Sequence, residues 1–135
     1  MKNICFASKE HETFYFNMLS ETHRNDTYSK AFFYTMGISV ETRRNIRTLF
    51  DFKEDIIKPD GLSAPWQTGS TRRLCRLAFN LWNGWVEQGN EKHSTPYGVF
   101  DCSFAPYFFE AIRLLYPEYC KSFERSAPHS PQTIR

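Results

Sequence analysis

The chain has little of what catalysts are usually built from. It carries no GxSxG elbow, no P-loop, no GxGxxG phrase after a strand and no HExxH, so the familiar hydrolase, nucleotide and zinc-peptidase signatures are missing. His11-Glu12 begins the last of these, but no second histidine follows one turn on. The four cysteines, Cys5, Cys75, Cys102 and Cys120, make no CxxC or CxxxxC pair, so any metal site would lack a spacing signature. No apolar run approaches the roughly eighteen residues of a membrane span. MKNICFASKEHE also lacks an apolar core of signal-peptide length. A cytoplasmic protein with reduced, mostly buried thiols is the expectation, with no membrane partner. The net charge of +2 is too small to argue for nucleic acid by itself, and there is no helix-turn-helix phrase and no internal repeat.

What is present is aromatic and helical. Aromatic residues make up 17% of the 135, with thirteen Phe and seven Tyr, enough for a ring-rich core and for rings at the surface. Leu74, Leu77, Ala78, Leu81, Trp82 and Trp85 recur at the spacing of one broad helical stripe, behind Gly69 and Ser70 as loop and N-cap. Ser8 caps an earlier helix whose inner face carries His11, Phe14, Tyr15, Met18 and Leu19. Asp26 caps a second, apolar on nearly every side and therefore central, with Gly37 as its stop. Ser39 opens a third, through Ile46, Leu49 and Phe50. Ser103 opens a last one, with Pro106 in its first turn and Pro117 after its end. The fold class is mainly α, a single compact bundle of about five helices over residues 1–124, followed by a mobile tail at 125–135. Short apolar runs at 4–6 and 97–102 are candidates for a minimal two-stranded antiparallel ribbon.

The arginines are the most informative polar pattern. Arg43, Arg44 and Arg47 sit on one predicted helix and Arg72, Arg73 and Arg76 on another, with Trp66 and Gln67 just upstream of the second group. Guanidinium forks suit carboxylates, phosphates and aromatic faces, so these eight residues are candidates for a partner surface, protein or nucleic acid. The competing account is a solvated basic face neutralised in part by Asp51, Glu54 and Asp55. Cys5, His11, His93 and Cys102 are candidate zinc ligands if the ribbon brings its two cysteines together, which would make a zinc protein or a metalloenzyme centred on His11. Otherwise His11 is a buried histidine that locks its helix to a neighbour. No cofactor is required by the sequence.

The phrases SKEHETFYF, DTYSKAFFYTMGI, TRRNIRTLFDF, WQTGS with RLAFNLWNG, and DCSFAPYFFEAIRLLYPEYC occur in that order. Taken together they resemble a group of short uncharacterised proteins encoded by phages and conjugative elements of Gram-positive gut bacteria. The resemblance implies a non-enzymatic accessory factor acting in the bacterial host cell. Its most concrete form is an anti-CRISPR inhibitor that binds a Cas9-type effector and blocks guide or target DNA engagement. A helical nucleic-acid-binding regulator using the arginine clusters is the alternative. Oligomeric state is left open.

Overall fold

The computed structural model describes residues 3–120. Six helices lie in the order α1 (Lys9–Thr22), α2 (Thr27–Gly37), α3 (Val40–Arg44), α4 (Gly69–Asn83), α5 (Pro96–Val99) and α6 (Ala105–Leu115), with a two-stranded ribbon, β1 (Phe50–Asp51) and β2 (Ile56–Ile57), between α3 and α4. The expected mainly α class holds. The expected tail at 125–135 lies outside the described residues.

α2 is the centre, packed against α1, α4 and α6. Every residue from Ala31 to Gly37 is buried, which matches a sequence apolar on all sides. Phe32, Phe33 and Phe79 lie fully inside, and the rings of Phe32, Phe50 and Trp82 meet at centroid distances near 5 Å, as edge-to-face and tilted pairs do. α4 presents Leu74, Leu77, Ala78 and Leu81 to this core, as its stripe predicts. Its cap differs by two residues from expectation: Thr68, not Ser70, accepts from the Thr71 N–H, and the Thr71 hydroxyl returns a bond to the Thr68 N–H, a reciprocal capping box. Gly84 ends the helix at φ +82, so Trp85 joins the stripe from beyond its end.

The ribbon is antiparallel, Phe50 opposite Ile57 and Asp51 opposite Ile56, so it does not form from 4–6 and 97–102. Two local effects explain the difference. The backbone around Cys5 is satisfied by side chains instead of a strand: its N–H donates to Glu110 Oε2 at 3.1 Å and its carbonyl accepts from the Tyr34 hydroxyl. At the other segment, Thr95 takes an N-cap bond from the Gly98 N–H and Pro96 sets the first helical turn, which winds the chain into α5. The actual hairpin is turned by Asp51, whose carboxylate accepts from the Lys53 and Glu54 N–H groups at 2.9 Å, and by Asp55 in the left-handed region at φ +63.

Candidate functional site

The C-terminus of α2 is where the predicted site residues meet the fold. A helix leaves its last four carbonyls without partners, here those of Tyr34, Thr35, Met36 and Gly37. Each finds one. Tyr34 O accepts from the His11 Nε2–H at 2.7 Å, Thr35 O from the Ile38 N–H, Met36 O from the Thr42 hydroxyl at 2.6 Å and Gly37 O from Arg43 Nη1 at 2.7 Å. The Arg43 guanidinium also puts a positive charge where the helix dipole is negative.

His11 is fully buried at this junction, and both of its ring nitrogens are engaged. The Ala7 N–H donates to Nδ1 at 3.0 Å, so Nδ1 carries no proton and Nε2–H is the donor to Tyr34. Burial first, and then the charge of Arg43, favour the neutral ring and lower its pKa from 6.5 to about 4, against the opposing effect of the Tyr34 bond. A ring held this way has no lone pair to offer zinc. The other three candidate ligands do not converge on it: Cys102 Sγ lies against Val99 O, His93 stands in the 3-10 turn Glu91–Ser94 beside Glu87, and Cys5 is exposed in the segment before α1, its N–H bonded to Glu110. Among the described residues no three His, Cys, Asp or Glu side chains gather as a metal site. The expectation of mostly buried thiols is corrected as well, since only Cys75 of the four is buried.

Most of the arginines serve the fold. Arg72 Nε donates to Leu62 O, Arg73 Nε to Gly98 O and Arg76 Nε to Glu87 Oε1, each near 3.1 Å, so the α4 cluster ties three separate segments to one helix. Arg47 is exposed, pairs with Glu21 through Nη2 at 2.9 Å and lies over the Phe52 ring. Arg44 is exposed and makes no bond among the described residues. Gln67 is buried, donating to Gly61 O and accepting from Thr71. Trp66 is half-buried with an indole N–H that finds no acceptor among the described residues. Two of the three acids expected to neutralise Arg43, Arg44 and Arg47 are engaged elsewhere: Asp55 pairs with Arg24, and Asp51 with the hairpin backbone.

Sequence reasoning missed two features. Arg24 joins three elements, bonding Asp26 and Ser29 at the start of α2, pairing with Asp55 in the hairpin and lying 4.9 Å over the Trp82 ring of α4. A lone arginine in a polar loop gave no sign of this. The second is a set of rings exposed on α6 and just beyond its end: Phe109 is 65% exposed, Tyr116 49% and Tyr119 81%, with Ile112 half-buried. Phe109 and Ile112 share one helical face by their i, i+3 spacing, and Tyr116 is the C-cap residue. Phe109 touches Phe100, at 5.1 Å between centroids, and beside it runs a groove of about 630 Å³ lined by Cys5, Pro106, Tyr107, Ile112 and Cys120.

These features define a small helical protein with an aromatic surface and without a gathered set of metal-ligating side chains among the described residues. The chain belongs to DUF6075, a family of unknown function, which it matches over residues 1–128. No curated protein and no solved structure matches it. No helix among the described residues is long and apolar enough to cross a membrane.

Proposed function

We propose that the protein acts by binding another protein through the aromatic face of α6. The observation that carries this reading is the exposure of Phe109 on α6 and of Tyr116 and Tyr119 just past its end, while Phe108, Ala111 and Leu115 of the same helix fill the core. Aromatic side chains left in water beside a groove are the usual anchors of an interface. Because Arg43, Arg72 and Arg76 bond within the chain, a protein partner ranks ahead of nucleic acid.

The most concrete partner is a Cas9-type effector, a choice that rests on the resemblance to proteins of phages and conjugative elements. Two measurements test the reading in turn. A photo-crosslinking residue at position 109 should capture a defined partner in host cells where one at the exposed Asn17 does not; equal yields at both sites would remove the α6 interface. Purified protein added to guide-loaded Cas9 should then suppress target cleavage, and suppression should be lost on Phe109→Ala with Tyr116→Ala. Full cleavage in the presence of a large excess would exclude Cas9 and leave the interface to the first experiment.

A further inference from the structure

A second groove, of about 590 Å³, opens between α4, the 3-10 turn Glu91–Ser94 and α5, and is lined among others by Arg73, Lys92, His93, Tyr97, Phe100 and Asp101. Its charge is uneven. Neither Arg73 nor Lys92 has an acidic partner among the described residues, and Asp101 is the one carboxylate in the lining. The Arg73 Nε–H bond to Gly98 O at 3.1 Å fixes the plane of the guanidinium at the groove, while its two Nη groups make no bond among the described residues. Nη1 also lies beside Gly69, in the first turn of α4, where the helix dipole adds positive potential.

The wall opposite is held firmly in place. A side chain at Gly98 would run into the Lys92 carbonyl and the His93 Cα, so α5 and the 3-10 turn are in backbone contact there. At the rim is Tyr97, 94% exposed, the most exposed of the large apolar side chains described, and no ring among the described residues pairs with it. A fixed guanidinium fork, an ammonium group and a free aromatic ring around one groove are the elements that hold a phosphate and stack a base.

We propose that this groove binds a nucleoside phosphate, with the phosphate between Arg73 and Lys92 and the base against the ring of Tyr97. The groove shares no lining residue with the exposed α6 rings, although Phe100 of its lining touches Phe109. The same chemistry is presented by a free mononucleotide and by the 5′-phosphorylated end of a nucleic acid strand, and the test separates them.

The experiment is an NMR titration of the ¹⁵N-labelled protein with AMP, adenosine, inorganic phosphate and a 5′-phosphorylated oligonucleotide. AMP should shift the amides of residues 92–98, and adenosine and inorganic phosphate should each bind at least about tenfold more weakly. Tyr97→Ala and Lys92→Ala, both at exposed positions, should each weaken AMP by about tenfold, and Tyr97→Phe should restore it. Tighter binding of the oligonucleotide than of AMP assigns the site to a strand end, and weaker binding assigns it to the free nucleotide. The proposal is overturned if millimolar AMP leaves those amides unmoved, if both alanine variants bind as the wild type does, or if inorganic phosphate binds as well as AMP.

Discussion

A Cβ placed on Gly37 would lie 2.6 Å from Cδ2 of His11 and 2.9 Å from Cδ2 of Phe14, so the last residue of α2 is glycine because two rings of α1 crowd its Cα. Gly37 is not in the left-handed conformation, and its role is space. In an exposed helix Gly→Ala would add up to about 1 kcal/mol of stability. Here the clash should exceed that gain, and Gly37→Ala should lower the unfolding free energy by about 1–3 kcal/mol in urea denaturation. Unchanged or raised stability would mean that the His11 ring is free to move aside.

The pH dependence of stability should carry the mark of His11. The unfolded histidine takes up a proton near 6.5, whereas the folded one stays neutral to about 4. Within that window the unfolded state binds more protons, so acid favours it. The contribution is complete above pH 6.5 and is lost as pH falls to about 4, a change of about 3 kcal/mol. His11→Gln can still donate to Tyr34 O without titrating. It should be less stable at neutral pH and should show a flatter profile between those limits, as equilibrium unfolding at stepped pH will show.

Arg43 and Arg44 are adjacent in sequence and opposite in consequence. Arg43→Met removes a charged donor from the Gly37 carbonyl and should cost about 1–2 kcal/mol. Arg44→Met removes no bond among the described residues and should stay within about 0.5 kcal/mol of wild type. Thermal unfolding of the two variants side by side measures the difference.

A similar contrast holds on α6. Phe108 is fully buried and Phe109 largely exposed, so Phe108→Ala should cost about 3–5 kcal/mol. Phe109→Ala should change stability by about 0.5 kcal/mol or less while removing partner binding. Loss of folding in the second variant would assign that ring to the fold and not to an interface.

Thiol labelling should resolve the cysteines. Cys75 is buried, and burial pushes its pKa up to about 12, so it should react with Ellman's reagent only on global unfolding. Cys5, exposed, should react in the native state. Prompt labelling of Cys75 would indicate that the Gln67 loop over it opens readily.

Much of the bundle was legible in the sequence because helices announce themselves locally. Ser8, Asp26 and Ser39 cap the helices they were expected to cap, and the all-round apolarity of α2 marked the central element. What could not be read depends on distant pairs. The Arg24–Asp55 pair spans 31 residues and the Glu110 contact to the Cys5 backbone spans 105, so neither leaves a periodic trace. The bonds of the arginine clusters were hidden for a related reason: composition reveals a positive charge but not the backbone carbonyl it reaches. The exposed rings of α6 and its end were visible as residues, yet only the packed structure decides that Phe108 turns inward and Phe109 outward.

Helix ends ordinarily fray, since their final carbonyls trade easily between water and the chain. The last turn of α2 has little such freedom, because α1 and α3 supply three of its four terminal bonds through His11, Thr42 and Arg43. Amide hydrogens of Met36 and Gly37 should therefore exchange with solvent as slowly as those in the middle of the helix, and speed up together when any one of those three side chains is removed.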